Sequence, residues 1–158
     1  MAEPPGPLID VVVEVPRWSF VKRGLGGRVD LLSPFPCPFN YGAVPTLIGL
    51  EGDLLDAVVL GPRLPRGVRV RVHALGAVGL ADRGLYDDKL ICGAAPLTPA
   101  QRRRIFRFFR FYAWCKRGLN LCRHRPGRTA LVGWVDPATA IARAHRRGTD
   151  WSGPPVPF

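Results

Sequence analysis

Short β-type segments occupy the chain up to Thr98, and helical periodicity begins only at that residue. Residues 11–15 are typical of a strand that ends at Pro16, and residues 57–60 are a short apolar run. Residues 68–73 alternate strictly between apolar and polar side chains, as half-buried strands do. An apolar stripe at helical spacing follows over residues 105–115. Strands first and helices late is the order of an α+β fold, here mainly β. The short strands without wide breaks indicate a small closed barrel.

Two helices are predicted in the C-terminal part. Residues 98–101, Thr-Pro-Ala-Gln, combine an N-cap, a proline at N1 and a glutamine at N3, which is a capping box. Gly118 predicts the end of this first helix. The second helix is predicted to start with Asp136 as its cap and Pro137 at N1, and to run to about Arg147.

The composition is that of an ordinary globular domain, with 47% hydrophobic and 22% charged residues. We expect one domain over residues 1–158, with irregular tails at about 1–8 and 149–158. No apolar run approaches the roughly 20 residues that a membrane helix needs. The N-terminus lacks a signal-peptide pattern, so a cytoplasmic location and no membrane association are expected. The thiols without close pairing are expected to be reduced and structural: Cys37, Cys92, Cys115 and Cys122.

Positive charge is concentrated in one stretch of the chain. The net charge is +11, and ten basic but no acidic residues fall between Gln101 and Arg128. Arginines interleaved with aromatic residues in this stretch are compatible with nucleic-acid binding. However, Phe108, Phe109 and Tyr112 share one helical face, and we expect them to belong to the core.

Carboxylates, which are scarce in this basic chain, gather in two short segments. They are Glu51, Asp53 and Asp56 in the first segment and Asp82 and Asp87 in the second. In an extended first segment, Glu51 and Asp53 would share a face, and a turn could bring Asp56 round to join them. The second segment suits a loop whose ends converge, with Lys89 on the same face as Asp87. Clustered oxygen ligands are typical of sites for hard cations such as Mg²⁺.

Both acidic segments resemble the signature of the soluble family I inorganic pyrophosphatases. Residues 40–42, Asn-Tyr-Gly, stand eight residues before residues 51–56, where the family has N-Y-G followed by D-G-D-P-x-D. The family's second element, D-x-x-x-x-D-x-K, is matched by Asp82, Asp87 and Lys89. Glu51 stands where the family has an aspartate.

The resemblance extends over nearly the whole chain, in order. Residues 12–16 are similar to the family's early V-x-E-x-P strand, and Lys22 to the lysine that follows it. Residues 108–112 are similar to its F-F-x-x-Y helix, and residues 133–134 to its G-W before the last helix.

This resemblance implies a five-stranded OB-like closed β-barrel with two flanking C-terminal helices. It also implies Mg²⁺-dependent hydrolysis of pyrophosphate to two orthophosphates, several ions per site, and a homo-oligomer, often a hexamer. Asp53 would accept the proton from a metal-bridging water. The implied metal ligands are Glu51, Asp53, Asp56, Asp82 and Asp87, with Glu14 in the outer shell. The implied phosphate contacts are Lys22, Tyr41, Lys89 and Tyr112.

Three positions depart from the family pattern on the phosphate side. Gly24 replaces an acid, Leu31 replaces a phosphate-binding arginine, and Ala113 replaces a cation after the helix tyrosine. The implied metal ligands are therefore nearly all present, whereas two of the implied phosphate-binding cations are missing. Four residues are candidates to supply replacement charge: Arg23, Arg28, Arg110 and Lys116.

Three alternatives to an active pyrophosphatase stay open. The first is a catalytically weak or inactive relative that binds metal or phosphate. The second is a phosphohydrolase with a larger substrate, because the lost cations could leave room for a substituent. The third is a basic OB-type nucleic-acid-binding module, which the charge favours but which would not account for the acidic segments.

Overall fold

The computed structural model describes residues 6–23, 29–32, 36–50, 52–82, 85–122 and 130–146. The strands are β1 (Leu8–Val15), β2 (Val21–Arg23), β3 (Val29–Leu32), β4 (Asn40–Ile48), β5 (Leu54–Val59), β6 (Arg69–Asp82), β7 (Leu85–Tyr86), β8 (Lys89–Gly93), β9 (Ala130–Val135) and β10 (His145–Arg146). The helices are α1 (Pro99–Cys122) and α2 (Pro137–Arg143). None of the helices in this part of the chain is long and apolar enough to cross a bilayer.

Five strands close into a barrel. Strand β1 pairs with β4, β4 with β5, β5 with β8, β8 with β6, and β6 returns to β1. Every pair is antiparallel except β5–β8, which is parallel. Closure leaves no free edge among these five strands. The predicted five-stranded closed barrel with two helices after it is confirmed.

The remaining strands extend or flank the barrel. Strand β9 pairs with the second half of β6, β7 folds back on the end of β6, and β10 pairs with β4. Strands β2 and β3 form a separate hairpin. The alternating segment at 68–73 and the segment after it belong to one strand of 14 residues, β6, which bulges between Ala74 and Gly76. This length lets β6 pair with β1 first and with β9 later.

The core has two compartments separated by the barrel wall. Ala57 and Val59 point into the barrel interior, whereas Val58 between them packs outward against α1. The outer compartment includes Ile105 and Phe109, which are fully buried on the predicted stripe of α1. The run at 57–60 is apolar at every position because both faces of β5 are buried.

Both predicted helix starts are confirmed. The Thr98 backbone N–H donates to Gln101 Oε1 at 2.9 Å, and the Gln101 N–H donates to Thr98 Oγ1 at 3.2 Å. This reciprocal pair is the capping box. At α2, the Asp136 carboxylate accepts from the Thr139 N–H at 3.0 Å, with Pro137 in the first turn.

Both predicted helix ends are wrong. Helix α1 continues through Gly118 to Cys122. A glycine weakens a helix by about 1 kcal/mol but does not end it without further signals. Helix α2 ends at Arg143, because Ala144 adopts extended backbone angles and the next two residues pair with β4. A tertiary strand pairing therefore overrides the local helical pattern that predicted an end near Arg147.

Asn40 fastens three segments of the fold to one another. Its side chain is fully buried, and its Oδ1 accepts from the backbone N–H groups of Arg17 (3.0 Å) and Leu64 (2.9 Å). Its Nδ2 donates to the carbonyls of Val59 (3.2 Å) and Pro62 (2.8 Å). One carboxamide thus satisfies four backbone groups from the ends of neighbouring strands.

We predict that Asn40→Ala lowers the free energy of unfolding by about 3 kcal/mol, because buried backbone donors and acceptors lose their partners. Urea denaturation followed by circular dichroism measures this change. Thr46→Ala is the matched control, since Thr46 is exposed on the same strand, and it should change stability by about 0.5 kcal/mol or less. Equal stability of the two variants would contradict the fastening role of Asn40.

Candidate active site

One buried ammonium group joins the two acidic segments. Lys89, the first residue of β8, is only 3% exposed. Its Nζ donates to Asp56 Oδ2 and, at 2.7 Å, to Asp87 Oδ1. Asp56 lies on β5 and Asp87 just before β8. The structure therefore brings one acid of each segment to the same point, with Lys89 on the face of Asp87 as predicted.

Two tyrosines complete this cluster. Tyr41 on β4 interacts electrostatically with Asp56, Asp87 and Lys89. Tyr112 on α1 interacts with Tyr41 and Lys89. Burial, together with the nearby Asp56 charge, raises the pKa of the Tyr41 phenol well above its usual value. Burial alone would lower the pKa of Lys89, but the charges around it, Asp56 first, outweigh burial and raise that pKa well above its usual value. The cluster therefore holds a neutral phenol and a charged ammonium.

The segment Asn-Tyr-Gly at 40–42 has a physical reason at each position. Tyr41 enters the cluster next to the buried Asn40. A Cβ at Gly42 would lie 2.0 Å from the Val12 carbonyl oxygen, so only glycine allows β1 to approach β4 here. Strand β1 bulges at Glu14, which has no register partner between Val13 and Val15, and Val15 pairs with Tyr41. Such bulges re-aim side chains, and the side chain of Glu14 is half-buried.

The first acidic segment forms a tight turn between β4 and β5. The Gly49 N–H donates to the Asp53 carbonyl at 2.8 Å, the Gly52 N–H donates to the Gly49 carbonyl at 3.0 Å, and Gly52 has a φ of +92°. The expectation that Glu51 and Asp53 share one strand face stays a prediction. Asp53 is exposed at the end of the turn, and Asp56 follows on β5. Glu51 lies outside the described residues.

The second acidic segment forms the predicted loop with converging ends. Asp82 pairs with Leu85 across the β6–β7 hairpin, and the Asp87 N–H donates to the Leu80 carbonyl at 2.8 Å. The backbone thus returns Asp87 to the side of β6. The side chain of Asp82 and residues 83–84 lie outside the described part of the chain.

Of the predicted site residues, the structure brings together Tyr41, Asp56, Asp87, Lys89 and Tyr112. Lys22 lies on β2 opposite Leu31 of β3, and the description of the chain does not extend to its side chain. Within the described part of the chain, no three Asp, Glu, His or Cys side chains lie close enough together to hold a metal ion.

Of the two candidates for replacement charge whose side chains the structure describes, Lys116 lies nearer to the cluster. Its Nζ is 3.8 Å from Asp87 Oδ2, and its side chain is 26% exposed. Lys116 is one turn beyond Tyr112, so the two share a face of α1. Arg110 lies on the other side of the helix, two residues before Tyr112. The side chain of Arg23 and all of Arg28 lie outside the described part.

A second ion pair beside the site was not predicted. Asp88 is 4% exposed, and its two carboxylate oxygens lie 3.3 and 3.4 Å from Nη1 of Arg143, the last residue of α2. Burial raises the pKa of Asp88, although Arg143 opposes that rise. The Arg143 guanidinium also lies 3.9 Å from the ring centre of Tyr86. The alternation Asp87-Asp88-Lys89 signals that Asp88 faces away from Lys89, but nothing in the sequence indicates Arg143 as its partner.

The described thiols are free, as expected of reduced cysteines: Cys37, Cys92 and Cys115. Burial raises the pKa of the Cys92 thiol to about 12. This thiol is therefore protonated at neutral pH and acts as a small core side chain.

The fold agrees with the comparisons to known proteins. A family model described as inorganic pyrophosphatase matches residues 11–105. The soluble inorganic pyrophosphatase 3 of Arabidopsis thaliana is 34% identical over 131 residues, covering 69% of this chain and 60% of the relative. The inorganic pyrophosphatase of Gluconobacter oxydans (strain 621H) is 34% identical over 92 residues, covering 53% of each chain. The chain belongs to the inorganic pyrophosphatase family, and the resemblance seen in its motifs is confirmed.

Solved structures show the same fold. The inorganic phosphatase from Anaplasma phagocytophilum superposes with a TM-score of 0.69 at 25% identity, covering 87% of this chain and 91% of that chain. The inorganic pyrophosphatase from Thermus thermophilus gives a TM-score of 0.70 at 23% identity, covering 90% of each chain. The chain spans only 53–60% of the length of the first curated relatives that it matches.

We predict that Lys89→Met lowers the free energy of unfolding by about 3 kcal/mol, because it leaves two neighbouring carboxylates without their shared cation. Chemical denaturation at neutral pH measures the loss. The double variant Asp56→Asn/Lys89→Met should regain part of it, since one of the two repelling charges is gone. A double variant no more stable than Lys89→Met would show that repulsion between the carboxylates is not the cause.

Proposed function

We propose that this chain hydrolyses inorganic pyrophosphate to two orthophosphates with the help of Mg²⁺. The observation that carries the proposal is the meeting of Asp56 and Asp87, one from each acidic segment, at the buried Lys89. Family membership supplies the substrate class. In the reaction, water attacks one phosphorus atom and the bond from that atom to the bridging oxygen breaks.

The chemistry of the donors fits Mg²⁺. Asp56 and Asp87 present carboxylate oxygens, the ligands that this ion prefers, on one side of the site. We assign Asp56 and Asp87 as ligands, together with Glu51, Asp53 and Asp82 and with Glu14 in the outer shell. Bound Mg²⁺ ions would neutralise charge on pyrophosphate and lower the pKa of a coordinated water.

Proton transfer and phosphate binding are assigned to the chain's own groups. Asp53, which is exposed at its turn, is the proposed base, and it can pass the proton on to solvent. Tyr41 stays a neutral hydrogen-bond donor because its pKa is raised. Lys89 has three donors, of which the two carboxylates take two. We assign the third donor of Lys89, together with Tyr112 and Lys22, to phosphate oxygens.

Lys116 is a candidate for the positive charge that the family pattern has at the position of Ala113. Ala113 is buried in the outer core compartment, so this position packs the helix instead of carrying charge. Lys116 lies three residues after Ala113 on α1. Its partly exposed ammonium group is 3.8 Å from Asp87 Oδ2. We propose that Lys116 supplies, on the same helix, positive charge that Ala113 lacks. The cytoplasmic location remains a prediction from the N-terminal sequence, and the homo-oligomer remains a prediction from the resemblance.

The first test is Mg²⁺-dependent release of phosphate from pyrophosphate. We predict that Asp53→Asn lowers kcat by about 10²-fold or more, the usual effect of losing a general base. Asp10→Asn is the matched control, because Asp10 forms a surface ion pair with Arg69 far along the sheet, and it should leave kcat unchanged.

The same assay separates the alternatives. Wild-type release no faster than that of Asp53→Asn would refute the proposed hydrolysis. Bound Mg²⁺ without turnover would instead indicate an inactive relative. Faster hydrolysis of a nucleotide or a longer phosphate chain than of pyrophosphate would indicate a larger substrate.

We predict that Lys116→Ala raises KM for pyrophosphate about tenfold, the scale of one charge-assisted contact to an anion. The control is Arg110→Ala, which removes the same charge from the opposite side of α1. Steady-state kinetics at saturating Mg²⁺ measures both variants. Similar KM values in the two variants would mean that Lys116 contributes only to the overall field of the protein.

A further inference from the structure

The outward side of α1 carries a row of exposed residues that takes no part in the site around Lys89. Arg103, Arg107, Arg110 and Trp114 follow one another at helical spacing, and we call this row the arginine stripe. Trp114 is 69% exposed, the highest value among the large hydrophobic residues exposed in the described part of the chain. Its ring centre lies 6.1 Å from that of Phe111, which is also exposed.

The charge of this stripe is not neutralised within the fold. The sequence has no Asp or Glu between Asp88 and Asp136, so no acid stands one turn away on α1. No ion pair among the described residues involves Arg103, Arg107 or Arg110. Like charges one turn apart destabilise a helix. An anionic partner would offset this repulsion.

A groove of about 490 Å³ runs beside the stripe. One wall is held in place by aromatic packing, since the Arg102 guanidinium lies 4.6 Å from the Trp134 ring centre and Phe106 stacks on the same ring. The groove therefore combines guanidinium groups with an apolar surface. Its lining residues are Pro99, Arg102, Arg103, Phe106, Arg107 and Arg110.

We propose that the arginine stripe and its groove bind single-stranded nucleic acid. Guanidinium groups match phosphate oxygens in geometry and charge, and the exposed ring of Trp114 offers a platform on which a base can stack. A basic groove combined with an exposed aromatic ring is the arrangement that binds single strands without reading their sequence. This face lies opposite Tyr112 on α1, so the proposal does not depend on pyrophosphate hydrolysis.

Other occupants fit this face less well. A second copy of the chain in a two-fold contact would bring together two copies of a surface that carries arginines, with no acidic residue on α1 to offset their charge. Inorganic polyphosphate would pair with the arginines but would leave Trp114 without a stacking partner. A single-stranded nucleic acid satisfies both the charges and the aromatic ring.

The test is fluorescence anisotropy of a labelled oligothymidylate of about 20 nucleotides, titrated with the full chain at several salt concentrations. Arg103→Gln/Arg107→Gln should weaken binding about tenfold at low salt and lower the slope of log K against log salt by roughly 1.4, or 0.7 per lost phosphate contact. The matched control, Arg63→Gln/Arg71→Gln, removes two exposed arginines elsewhere and should change both values much less.

Trp114→Ala tests the stacking separately. It should weaken binding about tenfold, the scale of one stacked base, and leave the salt slope unchanged. Unchanged circular dichroism of all variants would show that the fold is intact. Four results would each overturn the proposal: no binding by the wild type, an equal effect of the control pair, unchanged binding by Trp114→Ala, or an oligomer in sedimentation that Trp114→Ala converts to a monomer, which would place the stripe between copies.

Discussion

The burial of a charged lysine in the barrel wall constrains the rest of the candidate site. An ammonium group at this depth must be matched by opposite charge, and Lys89 takes that charge from two distant places in the chain. The parallel pairing of β5 with β8 sets Ala57 opposite Leu90, which places Asp56 beside Lys89. The β6–β7 hairpin delivers Asp87 from the other direction. The register of the single parallel pair in the barrel therefore decides where the acidic segments meet.

Features with a local cause could be predicted from the sequence. Alternating and fully apolar runs predicted the strands of the barrel, because burial on one or both faces leaves a direct mark on residue type. The helix starts at Thr98 and Asp136 were recognisable because capping uses side chains within one turn. The common face of Asp87 and Lys89 followed from the two-residue period of an extended chain.

Features set by tertiary pairing could not be predicted from the sequence. Helix α2 stops early because the next residues pair with β4, which no local pattern reveals. The turn at Gly52, a glycine with positive φ, is held by backbone hydrogen bonds of Gly49, which the pattern of acidic residues does not reveal. The partner of the buried Asp88 is Arg143, 55 residues away. Asp56 and Asp87 could thus be singled out from the sequence, but their neighbours in space depend on the closed barrel.

The closure of the barrel also has a consequence for the order in which the molecule can form. Leu8 pairs with His73, so the first strand must find a partner more than sixty residues away. Such distant pairings form slowly, because the chain loses conformational entropy before the contacts that stabilise the pairing are made. Strands β5 and β6 each lack one neighbour until β8 has been synthesised. Lys89 belongs to β8, the last of the five barrel strands in the sequence. A nascent chain therefore contains the acids of the first segment before it contains the lysine that binds one of them.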